Sequence, residues 1–214
     1  MMLLYAVIPA QAGTPRLVGL SGNELETVSS ADAAMVVEEC DRQPDTSKAE
    51  AMQFARILEE LAGWTTLLPV RFPSAADSRS EVRAELDRRG HEWQRRLDQL
   101  EGVVELVVRA SWSGHPAPTR GDLPSGGRYL RERAAALHAD EALAIELEEV
   151  AAPWCRETQR LSARRGVRLA CLARRDVTSK LRAALDTWQG QATCREVLVS
   201  GPWPPFSFVS EPDG

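Results

Sequence analysis

EGVVELVVRASW, Glu101 to Trp112, is the stretch on which the fold turns. Val104, Leu106, Val108, Ala110 and Trp112 recur at every second position, the period of a strand with one face on a core. Glu105 and Arg109 fall between them and mark a wetter face. A strand this clear fixes how its neighbours are read.

Upstream, Leu3 to Ile8 and Met35 to Val37 are two further strand candidates. Ser47-Lys48-Ala49-Glu50 has capping-box spacing, so a helix starts there, with Ala51, Phe54, Leu58 and Leu61 on one face and Gly63 as its stop. Trp64 to Phe72 (WTTLLPVRF) is β-rich, and Pro69 suits it to an edge or a strand end. Ser74-x-x-Asp77 predicts the cap of a second helix with Val82, Leu86, Trp93, Leu97 and Leu100 as its apolar stripe.

Downstream, Ser113 to Gly127 is a Gly/Pro-rich loop of a length that compact domains rarely hold. A helical pattern then runs from Arg128 to about Leu161, with a kink or break expected at Pro153. Val167 to Ala173 is a strand. Asp176 caps a short helix with Leu181, Ala184 and Trp188 inward, and Cys194 to Val199 is the last strand. This alternation is α+β architecture. It predicts two small domains, residues 1–73 and 74–214, each resembling a modified ferredoxin-like α/β sandwich, with a long helix at 128–161 in the second.

Composition bounds the function. The 214 residues are 43% hydrophobic and 27% charged, ordinary for a globular protein. A net charge of −5 argues against a dedicated nucleic-acid binder, which needs a concentrated positive surface. Met1 to Ala10 is apolar but lacks a basic n-region, and Pro9 ends it too early for a membrane span. Cys40, Cys155, Cys171 and Cys194 form no CxxC pair, so they fit buried thiols in a reducing cytoplasm.

Catalytic chemistry finds little footing. His91, His115 and His138 lie beside no nucleophile signature, and no phosphate-cradling glycine loop is present. Ser125-Gly126-Gly127-Arg128 reads as a flexible cap. Asp140, Glu141, Glu146, Glu148 and Glu149 read as a solvated helix face. The reading contains no catalytic residue, no metal ligand and no cofactor. Arg71, between Val70 and Phe72, must find a partner or point out of the sheet. It is either a structural bridge or one side of a binding surface, with structure favoured.

The C-terminal stretch GPWPPFSF, Gly201 to Phe208, is stiff and apolar where chain ends are usually polar. Pro202, Pro204 and Pro205 favour polyproline II geometry, which puts Trp203 and Phe206 on one side as paired anchors. A Pro202-x-x-Pro205 docking pattern is also satisfied. An anchor clamping the last strand to the fold is the preferred reading.

Several stretches together resemble the gas vesicle protein L/F family (GvpL/GvpF). Leu4-Tyr5-Ala6-Val7-Ile8-Pro9 is similar to its opening strand, and Thr66-Leu67-Leu68-Pro69-Val70-Arg71-Phe72 to its central strand motif. Leu100-Glu101-Gly102-Val103-Val104-Glu105-Leu106 looks like its helix-to-strand junction, and Gly127-Arg128-Tyr129-Leu130 like the start of its long helix. Gly201-Pro202-Trp203-Pro204-Pro205-Phe206-Ser207-Phe208 resembles its terminal signature.

The resemblance implies an accessory protein of gas vesicle formation and not an enzyme. It implies an assembly factor or chaperone whose partners are the hydrophobic major shell protein and other accessory proteins. The implied location is the cytoplasm, with association with the vesicle left open. Arg71, Phe72, Trp203, Pro204, Pro205 and Phe206 become candidates for partner binding or structural anchoring. Two rivals stand beside it: a small-molecule-binding regulatory module of ferredoxin-like type, and an enzyme lidded by Ser113 to Gly127 with His115, Arg120 and Asp122 beneath.

Overall fold

The computed structural model describes residues 1–112, 126–163, 166–191 and 195–209, and of residues 126–136 and 195 the backbone alone. The chain forms two compact units. One is Met1–Gly102 together with the chain from Trp203 onward, and the other is Val103–Pro202.

The first unit contains β1 (Met2–Pro9), β2 (Glu26–Ser29), β3 (Ala33–Glu39), α1 (Lys48–Trp64), β4 (Leu68–Pro69), β5 (Ala75–Ala76) and α2 (Arg79–Leu100). The strands form an antiparallel sheet in the order β2-β3-β1-β4, with β5 also on β1. Phe54, Ile57, Leu58 and Leu61 of α1 join Leu3, Tyr5, Ile8, Ala34 and Val36 in one core. Alternation sends Met35 and Val37 to the other face, where α2 runs against β1, β2 and β3. The sheet is thus covered on both sides, which explains why β3 is apolar at successive positions.

The expected boundary between residues 73 and 74 moves to Gly102. Met2 pairs with Ala76 and Leu3 with Ala75, and the Leu4 amide donates to the Ser74 carbonyl at 2.9 Å. These bonds tie residues 74–76 to the first strand, and α2 follows them onto the same sheet. Its cap is Ser78, whose Oγ accepts from the Glu81 amide at 3.2 Å while Glu81 accepts from the Asp77 amide at 2.8 Å. This is a capping-box-like arrangement, shifted so that Glu81 takes the amide one residue before the cap, and it lies four residues later than Ser74. Ser47 caps α1 as expected, at 3.2 Å from the Glu50 amide.

The predicted strand Trp64 to Phe72 contracts to Leu68–Pro69. Helix α1 runs on through Gly63 to Trp64, and the prolines at 69 and 73 remove two of the donors a longer ladder needs. The short strand β2 has no counterpart in the sequence reading, because ETVS carries a single buried apolar residue, Val28.

The second unit contains β6 (Val103–Trp112), α3 (Gly126–Ala151), β7 (Cys155–Leu161), β8 (Val167–Arg174), α4 (Thr178–Gly190) and β9 (Arg195–Trp203), in sheet order β7-β8-β6-β9. The run β-α-β-β-α-β with first and third strands central is the ferredoxin-like motif. Leu106, Val108, Leu169 and Cys171 of the sheet pack with Leu143, Leu147, Leu181, Leu185 and Trp188 of the two helices.

Three expectations change here. The helix predicted to reach Leu161 ends at Ala151, because Pro153 lacks a helical donor, and the polar alternation of CRETQRL forms edge strand β7 instead. Glu105, read as facing water, is 2% exposed. It pairs in register with the buried Leu172, so the face away from the helices is also covered at its centre. Asp176 does not cap α4 but pairs with Arg174 at 2.9 Å, and the Thr178 hydroxyl donates to the Arg175 carbonyl at 3.0 Å. Of the 113–127 loop, residues 113–125 lie outside the described residues, as do His115, Arg120 and Asp122.

Candidate functional site

The six candidate residues separate by environment. Arg71 is exposed, and its carbonyl accepts from the Ser74 hydroxyl. Phe72 is half-buried, its ring tilted against Phe54 of α1 at 4.9 Å between centroids. Phe54 in turn stacks on Tyr5 at 5.0 Å. Phe72 therefore ends a ladder of three rings on the α1 side of the first sheet, while Arg71 beside it faces solvent.

The other four lie in the C-terminal stretch, which belongs to the first unit from Trp203 onward. Strand β9 carries Pro202 and Trp203, and the edge position of β9 tolerates the missing donor. Pro204 and Pro205 are buried and Trp203 is half-buried. Pro205, at φ −75° and ψ 59°, forms an inverse γ-turn in which the Phe206 amide donates to the Pro204 carbonyl at 2.7 Å. That turn ends the extended run one residue short of polyproline II continuation.

The turn changes which ring is the anchor. Phe206 is 41% exposed and Phe208 is 1% exposed. Phe208 is held by Arg96 of α2, whose Nε and Nη2 both donate to its carbonyl at 3.1 and 2.7 Å. Trp203 and Phe206 do not pair as the two anchors; the buried set is Pro204, Pro205 and Phe208. Phe72 packs on Phe54 of α1, whereas the C-terminal stretch is tied to α2 through Phe208 and Arg96.

A buried polar cluster went unnoticed in the sequence. Glu38 is fully buried. Its Oε2 accepts from the Tyr5 hydroxyl at 2.7 Å, and its Oε1 from the amides of Ser21 at 2.8 Å and Asn23 at 3.3 Å. The Tyr5 oxygen accepts from the Leu20 amide at 2.8 Å. Two amides of one loop, those of Ser21 and Asn23, thus form a nest for the carboxylate. Gly19 makes the approach possible, since a Cβ there would overlap the Glu38 carboxyl group.

A bulge aims the tyrosine. Leu4 pairs with Val37 and Ala6 with Val36, leaving Tyr5 as the extra residue on β1. Burial pushes the Tyr5 phenol well above its ordinary pKa, and the carboxylate adds to the shift. The cluster pins the 19–23 loop to the sheet. Its only advance signal was the first glutamate of VVEEC, at the end of an apolar run.

Among the acidic residues of α3, Glu141 and Glu149 are exposed, while Asp140, Glu146 and Glu148 are half-buried. Glu148 and Glu141 both pair with Arg160 of β7, the latter at 2.8 Å, and Trp188 Nε1 donates to Glu146 at 3.4 Å. They fasten α3 to its neighbours. Among the described residues no group of three or more His, Cys, Asp or Glu side chains could hold a metal ion.

Apolar side chains remain in water at several places. Val18, Met52, Trp64 and Phe206 are exposed on the first unit, and Leu137, Ile145 and Leu198 on the second. Edge strands β2 and β7 each leave one side unpaired within their sheets. Among the described residues no helix is long and apolar enough to cross a membrane.

An all-antiparallel first sheet, a ferredoxin-like second unit and a Pro/aromatic end returning to the first define a two-unit α+β protein without a recognisable catalytic centre among the described residues. The sequence model of the gas vesicle synthesis protein GvpL/GvpF family matches residues 1–210, and the chain belongs to that family. Two solved structures share its fold. The gas vesicle protein GvpF from Anabaena sp. PCC7120 superimposes with a TM-score of 0.80 at 16% identity, over 99% of this chain and 96% of that one. GvpF from Microcystis aeruginosa does so with a TM-score of 0.78 at 14% identity, over 98% and 99%. No curated protein sequence matches the chain.

Proposed function

We infer that the protein is an accessory factor of gas vesicle formation that binds the hydrophobic major shell protein and other accessory proteins in the cytoplasm. It acts by binding and not by catalysis. The observation that carries this reading is membership of the gas vesicle synthesis protein family across residues 1–210.

The physical logic is that of a holder. A shell subunit that stacks by strand pairing exposes open edges and apolar faces before assembly, and such surfaces aggregate. A partner presenting a sheet edge or an apolar surface covers them and releases them later. This chain offers both, in the open side of β7 and in its exposed apolar side chains.

Within the six candidates the roles divide by burial. Arg71 and Phe206 are exposed and are proposed as partner contacts. Pro204 and Pro205 are proposed as the anchor that presents Phe206, with Phe72 and Trp203 half-buried beside these roles.

Co-expression with the shell protein tests the reading. A soluble complex that co-purifies with this chain is the expected result. Failure to form a complex, together with no gain in shell-protein solubility, overturns it.

A further inference from the structure

The second unit holds a pair of thiols that no functional reading so far uses. Cys155 opens β7, and Cys171 lies in the middle of β8. Both side chains sit on the helix-facing side of the sheet. Cys171 is fully buried among Leu106, Val108, Leu147 and Leu181, and Cys155 packs half-buried against the same cluster.

A bulge produces this arrangement. Thr158 pairs with Cys171 and Glu157 with Leu172, but Cys155, not Arg156, pairs with Ala173. Arg156 is therefore the extra residue. Strand alternation without it would turn Cys155 away from the core, because a shift of one residue reverses the face of every side chain beyond it. With it, Cys155 and Cys171 lie diagonally across one antiparallel pair, on the same face of the sheet.

The two sulfurs differ in a useful way. β7 is the edge strand of its sheet, so the half-buried Cys155 is reached from outside while Cys171 is not. The neighbouring Cys171 thiol lowers the Cys155 pKa, and the Cys155 neighbour together with burial raises that of Cys171. An accessible, more acidic thiol beside a buried second one is the arrangement of an attacking and a resolving cysteine.

We propose that Cys155 and Cys171 form a reversible disulfide that staples edge strand β7 to β8, with a small disulfide such as oxidised glutathione as the oxidant. The Cys155 thiolate attacks one sulfur of glutathione disulfide, whose S–S bond breaks and releases one glutathione thiolate. Cys171 then loses its proton and attacks the Cys155 sulfur. The Cys155–Cys171 bond forms as the second glutathione leaves. Two protein thiols are oxidised, one glutathione disulfide is reduced to two glutathiones, and two protons pass to solvent or to the leaving thiolates.

The full chain is equilibrated across a series of reduced-to-oxidised glutathione ratios, then acid-quenched, alkylated, counted for thiols and peptide-mapped. Two of the four thiols are expected to vanish together in one transition. The expected map shows a single cross-linked peptide pair containing Cys155 and Cys171. The oxidised form is expected to melt several degrees above the reduced one. In Cys155→Ala the transition disappears while circular dichroism at low temperature is unchanged. Four thiols retained at the most oxidising ratio overturn the proposal. So do glutathione adducts without an internal bond, or a bridge made by Cys40 or Cys194.

Discussion

The Phe208 carbonyl is gripped by two N–H groups of one guanidinium, Arg96 Nη2 at 2.7 Å and Nε at 3.1 Å. The partners are 112 residues apart in sequence, and both belong to the first unit. This contact seats the Pro/aromatic segment on α2 and completes a unit that the chain left at Gly102.

Because Phe208 is buried and Phe206 is not, the two rings are expected to respond oppositely to truncation. Phe208→Ala is expected to cost about 3–5 kcal/mol of folding stability, as a large core ring does. Phe206→Ala is expected to stay within about 0.5 kcal/mol while weakening capture of the shell protein. Urea unfolding and a co-purification assay separate the two effects. Equal stability losses would place Phe206 in the core.

Arg96→Met keeps much of the stem and removes both donors to Phe208. A loss of about 1.5–3 kcal/mol is expected, the range for hydrogen bonds to a charged group. Limited proteolysis is expected to cut the C-terminal segment faster in this variant, with the rest of the first unit intact.

The Glu38 nest accepts only donors, so Glu38→Gln turns one oxygen into an amide nitrogen facing a hydroxyl or an N–H group. The expected cost is about 1–3 kcal/mol. Gly19→Ala pushes a methyl group into the same carboxyl and is expected to cost about 1–3 kcal/mol by overpacking. Chemical denaturation measures both, and a neutral Gly19→Ala would show that the loop relaxes freely.

Tyr5 makes stability depend on alkaline pH. Its folded pKa is raised above the ordinary value of 10.0, chiefly by burial. The unfolded chain therefore releases this proton first, and the contribution is complete below about pH 10 and lost progressively above it. Thermal midpoints of the wild-type chain are expected to fall more steeply above that pH than those of Tyr5→Phe. Parallel curves would count against a buried phenol.

Much of the fold was legible because period and punctuation are local. The alternation at Val104 to Ala110 and the cap at Ser47 report on neighbours within a few residues. The family resemblance was legible for the same reason, since its motifs are contiguous words. Glu105 shows where the code fails: alternation separates two faces but does not say that one of them is wet.

The site was legible only as a list. GPWPPFSF announced a stiff apolar segment, and three residues per turn selected Phe206, yet a γ-turn at Pro205 rotates the sequence so that Phe208 enters the core. Bulges at Tyr5 and Arg156 likewise choose which side chains meet, and each depends on the register of a partner strand. Residue order was enough to specify an α+β chain of the gas vesicle synthesis protein family, with its helices and central strands. Where the units divide, which ring anchors the end, and how Glu38 and Cys155 find their partners emerged only on folding, because each is a long-range pairing that no local pattern encodes.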